Sequence, residues 1–162
     1  MRRRHCCDVF SPLGAIIGAS VLIMTTNTTT AQTTEERLQR GAAVISELNN
    51  GAPQPALEQM RQAFPFLAEA TQGYALGDVW SRPGLDNRTR QLAAVAAFAS
   101  MGETAYMKVH AGYALNIGVS EDELKEIVYL VTVTAGFPKA ISASQVLSEL
   151  FAERRGSPAA EQ

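Results

Sequence analysis

Beyond position 7 the chain contains no cysteine: Cys6 and Cys7 are the only two in 162 residues. The long segment that follows can hold no disulfide, no thiolate metal site and no redox thiol. Histidine is nearly as scarce, with His5 and His110 alone. One histidine and no cysteine in a domain argue against a transition-metal site, so no metal is expected. Charge is sparse as well. Charged residues make up 19%, the net charge is −2 and no long run of either sign occurs, which argues against a nucleic-acid footprint. Zinc-ligand spacing, a phosphate-binding glycine loop, a dinucleotide fingerprint and a serine-nucleophile elbow are all missing. So are internal repeats and a Pro-rich linker. What remains is 46% hydrophobic residues in a length that suits one domain with a real core.

Residues 1–31 read as a targeting segment. Arg2, Arg3 and Arg4 form a positive start, and Leu13 to Met24 is an apolar stretch too short for a comfortable membrane span. Thr29-Thr30-Ala31 fits a small-x-small cleavage site before Gln32. A signal peptide over 1–31 implies a periplasmic or secreted protein with no stable membrane partner. Its removal leaves 11 basic and 15 acidic side chains, a net charge of −4. Two alternatives stand beside this: an uncleaved anchor, or a start at Met24 that gives a cytoplasmic protein.

The rest, residues 32–156, reads as helices joined by short loops, with residues 157–162 a disordered tail. A first helix begins near Thr34, carries Leu38, Ala42, Ile45 and Leu48 at helical spacing, and stops at Asn49-Asn50-Gly51. Pro53 and Pro55 open a second, with Leu57, Met60 and Phe64 on one face; Pro65 opens a third segment that runs on to Trp80. Pro83-Gly84 marks a turn. Asp86 or Asn87 can cap the next helix, RTRQLAAVAAFASM, whose alanine-rich, largely apolar surface suits a bundle centre, with Gly102 as its stop. A helix over 103–117 follows. Ser120 and Glu123 then form an S-x-x-E capping box. IVYLVTVT taken alone could be a strand, but the capped start and the lack of any other strand candidate favour a helix. A last helix, from about Pro138 to Arg155, has Ala140, Ala143, Leu147, Leu150 and Phe151 as its apolar face. The fold class is therefore all-α, a bundle of six or seven helices.

His110 is the centre of chemical interest, because an imidazole can give or take a proton near neutrality. Glu103, Tyr106, Met107, Tyr113, Ala114 and Ile117 share its helix face at spacings of three, four and seven. Two readings stay open: a proton-handling site beside a phenol and a carboxylate, or a hydrogen-bonded interior histidine packed on Tyr106. Arg82, Arg88 and Arg90 flank the Pro-Gly loop. They are either anion clamps or members of a surface salt-bridge set. Trp80 is a pocket wall or a core anchor. Lys108 points off the His110 face and is expected to be solvated. Glu126, which the capping box does not explain, is a candidate to orient a catalytic group.

Three blocks in order, Val79-Trp80-Ser81-Arg82-Pro83-Gly84-Leu85, His110 with Leu115-Asn116-x-Gly118-Val119, and Gly136-Phe137-Pro138, resemble the carboxymuconolactone decarboxylase family. This is the cofactor-free branch of the alkylhydroperoxidase D-like superfamily, and the resemblance covers about residues 35–155. It implies an alkylhydroperoxidase D-like helical bundle assembled as a homo-oligomer, a trimer or a hexamer, with no metal or organic cofactor. It also implies a small anionic lactone or enol acid as substrate. In the family reaction 4-carboxymuconolactone loses CO₂ and becomes 3-oxoadipate enol-lactone. By the same resemblance His110 is the proton donor, Arg82 the first choice for a carboxylate or oxyanion clamp, and Glu126 a possible orienting group. Trp80, Tyr106, Glu103, Arg88, Arg90 and Tyr113 would form the substrate surroundings.

The chain departs from the pattern at definite positions. The peroxidase branch has C-x-x-C-x-x-x-H; here Glu103 and Tyr106 stand at the cysteine positions, which excludes thiol peroxidase chemistry. The decarboxylase branch commonly has Glu where Tyr106 stands, a second histidine where Leu130 stands, and Tyr where Thr134 stands. Two other functions are therefore carried beside a decarboxylase: a non-catalytic oligomeric binding protein on the same fold, and an isomerase or cyclase using His110 on another carbonyl substrate.

Overall fold

A computed structural model describes residues 32–156. The signal-peptide reading of residues 1–31 and the tail reading of 157–162 lie outside the described residues. The elements are α1 (Thr34–Leu48), α2 (Pro55–Ala63), α3 (Pro65–Ala70), a π-helix (Thr71–Trp80), α4 (Asn87–Met101), α5 (Thr104–Asn116), α6 (Glu121–Thr134) and α7 (Phe137–Arg155). The described residues contain no strand, so IVYLVTVT belongs to a helix that continues to Thr134.

Local chemistry sets most of the boundaries. Thr33 and Glu36 close a capping box on α1, and Ser120 and Glu123 close another on α6. Asp86 Oδ1 accepts the Thr89 N–H at 2.6 Å, which starts α4. Gly102 ends α4 in the left-handed region at φ 83°, a conformation open to glycine at little cost.

Two apolar clusters result. The larger is built from α4 to α7 and includes Val95, Ala99, Met107, Leu124, Val131 and Leu147. The smaller joins Val44 and Leu48 of α1 to Tyr113 of α5, with Leu76 and Trp80 of the π-helix packed on it. All five residues expected to form the apolar face of α7 are buried.

Other expectations need correction. The α1 stripe is rotated: Gly41, Val44 and Leu48 are buried, whereas Ala42 is exposed. The reason is that α1 packs on the π-helix through Gly41, which a pattern of apolar side chains does not register. Phe64 is exposed at the junction of α2 and α3, because Pro65 restarts the helix there and turns that side chain away from Leu57. On α4 only Gln91, Val95 and Ala99 are buried, while Ala93 and Ala97 face outward. Alanine tolerates both settings, so composition overstated the burial. Lys108 is half-buried and pairs with Glu153 of α7 at 2.7 Å.

The least expected element is the π-helix. Its hydrogen bonds reach five residues back, as in Ser81 N–H to Leu76 O at 3.0 Å. It lies against α1 at contact so close that two glycines are required, Gly41 facing the Gln72 carbonyl and Gly77 facing the Arg37 carbonyl. Polar clamps hold the pair: Arg37 Nε donates to Asp78 at 2.7 Å, Arg40 Nη2 to Asp78 at 3.0 Å and Arg40 Nε to the Gly77 carbonyl at 3.0 Å. An extra residue per turn changes where side chains emerge, and the last of them is Trp80.

Candidate active site

α5 brings His110 to the seam between the two clusters. Four side chains surround its ring. From α4, Gln91 Oε1 lies 2.8 Å from Nδ1, and Phe98 stacks with centroids 5.1 Å apart. Trp80, at the end of the π-helix, stands 5.6 Å away at 31°, and Tyr113 of α5 meets the ring edge-on at 5.9 Å. The neighbours are themselves fixed. Trp80 Nε1–H donates to Asn87 Oδ1 at 3.0 Å, and Asn87 donates to Glu47 at 2.7 Å. The Gln54 amide donates to the Tyr113 hydroxyl.

Gln91 is fully buried in the midst of this, and its Nε2 has no hydrogen-bond partner among the described residues. The sequence reading missed it. One signal was available: Gln91 shares a helix face with Val95 and Ala99 at a spacing of four, which places a polar residue on the buried face of α4. Phe98 and Gln54 were also missed, and neither carried a motif.

Burial pushes the His110 imidazole down from 6.5 to about 4, and desolvation is the cause. The ring is therefore neutral at pH 7. Burial also raises Tyr113, opposed in part by its hydrogen bond from Gln54, so it stays a neutral phenol. The sign of the linkage is definite. The unfolded chain binds the His110 proton first, near 6.5, so stability falls as pH drops from there toward 4 and then levels. The loss over that window is expected to be on the order of 3 kcal/mol. Urea unfolding of the wild type beside His110→Gln at several pH values measures it. Equal slopes for both proteins would mean that His110 is not held neutral.

The other residues singled out in the sequence do not gather at this ring. Tyr106 stacks on Phe98 at 5.6 Å but is 60% exposed. Glu103 is exposed at the start of α5 and makes no side-chain capping bond. Glu126 is exposed on α6, and the polar partner at His110 is Gln91 instead. Leu130 and Thr134 are exposed on the same helix. Arg88 pairs with Glu123, whose carboxyl is held low first by the Ser120 backbone N–H and then by that arginine. Arg90 donates to the carbonyls of Arg82 and Leu85 at 2.7 and 3.2 Å, bracing the Pro-Gly loop.

Arg82 itself is exposed, and its guanidinium has no partner among the described residues. It lines a cleft of about 440 Å³ together with Trp80, Arg40, Glu47, Asp86 and Asn87. Trp80 is thus shared between that cleft and the imidazole, whereas His110 is not part of the cleft wall. Within one chain Arg82, Glu103, Tyr106 and His110 do not converge on an enclosed polar pocket. Among the described residues no group of three or more His, Asp or Glu side chains is placed to hold a metal ion.

Comparison with known proteins identifies the family. The sequence profile of the carboxymuconolactone decarboxylase family matches residues 65–149, from the start of α3 into α7. The 4-carboxymuconolactone decarboxylase of Acinetobacter baylyi is 31% identical over 118 residues, which is 72% of this chain and 88% of that protein. The nitrosuccinic acid decarboxylase of Metarhizium robertsii is 36% identical over 89 residues; the match takes in 52% of this chain and 61% of that protein. An uncharacterized 15.0 kDa protein of Paracoccus denitrificans is 22% identical over 121 residues. On the family match and the Acinetobacter relative together, the chain belongs to the carboxymuconolactone decarboxylase family.

Proposed function

We propose that this protein is a cofactor-independent decarboxylase of small lactone carboxylates, with 4-carboxymuconolactone as the first candidate and His110 as general acid. The observation that carries the reading is a half-buried, desolvated imidazole in an aromatic surround, in a family whose similar members include two named decarboxylases. In the reaction the bond from the lactone ring carbon to the leaving carboxylate breaks. Its electron pair passes into the conjugated lactone carbonyl, CO₂ departs, and one proton is delivered to carbon. The substrate's own carbonyl is the electron sink.

His110 is neutral when the site is empty, so the proton must be loaded first. An anionic substrate beside the ring favours the imidazolium, and a proton is taken from solvent on binding. An imidazolium whose pKa is low is also the stronger acid toward carbon. Arg82, free of ion pairs among the described residues, is the clamp for a carboxylate, and Trp80 links its cleft to the imidazole.

The test is turnover: purified protein with 4-carboxymuconolactone, followed by lactone absorbance and CO₂ release. Nitrosuccinate belongs in the same panel, because its nitro group can also accept the electrons left by a departing carboxylate. No CO₂ from either compound sinks the decarboxylase reading and favours a binding protein on this fold.

A homo-oligomer, trimeric or hexameric, is part of the proposal. Tyr106, Tyr129, Leu130, Val133 and Phe137 are all at least half exposed, with Val133 at 82%, and large exposed apolar side chains of this kind are what a subunit interface would cover. Val133→Asp is expected to reduce the assembled mass by at least half in light scattering at micromolar concentration. An unchanged mass would remove this face from the interface.

A further inference from the structure

We propose that Gln91 is a positioning residue for His110: its Oε1 accepts the Nδ1 proton and so reserves the Nε2 lone pair for the proton used in the reaction. The inference rests on the reading of His110 as the acid, and its basis is geometric. Oε1 stands 2.8 Å from Nδ1, and Gln91 is the polar group in contact with the ring; the other neighbours are Trp80, Phe98 and Tyr113. Gln91 is 0% exposed. Among the described residues the hydrogen bond of its side chain is the one to the His110 ring.

A carboxamide is a particular choice at this place. It is an acceptor without charge. A carboxylate there would hold the imidazolium and make it a weaker acid, whereas an apolar group would leave the tautomer unspecified. Glutamine orients the ring through both halves of the cycle. Neutral His110 donates from Nδ1 and accepts at Nε2. The imidazolium keeps its Nδ1 bond to Gln91 and presents Nε2–H to the substrate carbon. The proton taken up at Nε2 is the proton given away, and Nδ1 never exchanges its own.

No ionised group disturbs this pair among the described residues that face it. The titratable neighbours are the phenols of Tyr106, stacked on Phe98, and Tyr113, bonded to Gln54. From the π-helix, Trp80 meets the ring. The charged residues at the start of α4, Arg88 and Arg90, are turned to Glu123 and to the Pro-Gly loop.

The experiment is nitrogen NMR of the imidazoles in the intact chain, with His110 assigned by its loss in His110→Ala. In the wild type the neutral ring is expected to carry its proton on Nδ1 and to titrate far below 6.5. Gln91→Glu should keep the proton on Nδ1 and raise the midpoint by roughly one to three pH units. The acid limb of the pH–rate profile should move with it. Gln91→Leu, with its fold checked by circular dichroism, should shift the ring toward the Nε2–H tautomer. A wild-type proton on Nε2 overturns the proposal, and so does a Gln91→Glu midpoint equal to that of the wild type. These spectra need no turnover. A protein that fails to release CO₂ but shows the Nδ1 tautomer refutes the decarboxylase and leaves the Gln91–His110 unit standing.

Discussion

His110→Ala is expected to lower kcat/KM for the lactone by roughly 10² to 10⁴-fold, the usual range for loss of a general acid. The argument is one of replacement. Around the ring stand Trp80, Phe98 and Tyr113, and none is a comparable acid at neutral pH: Phe98 has no acidic proton, the Trp80 indole N–H is not acidic in this range, and burial makes the Tyr113 phenol a weaker acid than usual. Gln91 is an amide. Water entering the space left by the imidazole is a far weaker acid. Alanine also leaves a gap among three aromatic rings, so melting must be checked alongside, and His110→Gln supplies a variant of nearer volume. Both should lose activity while Arg82→Ala, which removes the proposed anion clamp, should act mainly by raising KM. Activity within about threefold of wild type in both His110 variants would sink the mechanism, because a loss that small lies below what general acid catalysis contributes.

The largest effect on folding is expected at Gly41. A Cβ added there would lie 1.9 Å from the Gln72 carbonyl oxygen and 2.8 Å from its carbon. Both are backbone atoms of the π-helix, so no rotamer change relieves the overlap and α1 must move away. Gly77→Ala meets the Arg37 carbonyl oxygen at 2.1 Å and forces the same separation from the other side. Moving α1 also breaks the Arg37 and Arg40 contacts to Asp78 and opens the cluster of Val44, Leu48 and Tyr113. Each variant should cost about 3 kcal/mol or more and lower the Tm by roughly 10 °C. Trp80 is the single tryptophan and sits at the end of the displaced element, so its emission should shift to the red as the seam loosens. Gly112→Ala is the control, since nothing in the chain lies within 4 Å of the added atom. It should be neutral or stabilising by about 0.5–1 kcal/mol. A Tm for Gly41→Ala that matches the control would show that α1 and the π-helix are not as closely apposed as described.

These two positions differ in how far the sequence announced them. His110 stood out by scarcity and by the blocks around it. Gly41 did not, because nothing local distinguishes it from any glycine inside a helical pattern; what makes it indispensable is a carbonyl 31 positions away. The same contrast runs through the rest of the chain. The caps at Asp86, Ser120 and Glu123 were legible because a side chain bonds a backbone group within three residues. The apolar face of α7 was legible because its period is that of the helix it lies on. The π-helix was not: TQGYALGDVW has no repeat that distinguishes five-residue from four-residue hydrogen bonding, and its form depends on the approach of α1.

The candidate site divides in the same way. Trp80, Tyr113 and His110 were singled out in the sequence and do meet, and Tyr106 reaches them at one remove through Phe98. Arg88 and Arg90 were singled out for charge, and that charge goes to Glu123 and to loop carbonyls. Glu103 and Glu126 share a side of their helices with candidate residues, but both are exposed, and the ring's hydrogen-bond partner is Gln91. Helical spacing states which way a side chain leaves its axis; it does not say what stands opposite.

By itself the sequence determined the all-helical class, most helix boundaries, the absence of thiol chemistry beyond Cys7 and the scarcity that singles out one histidine. Those rest on interactions within a few residues or on plain composition. The tertiary structure alone decided that this histidine is neutral, that its partner is an amide nineteen residues away, and that a tryptophan from a π-helix closes one side of it. Desolvation and ring orientation come from groups on other helices. They exist only once α1, the π-helix, α4 and α5 have packed together.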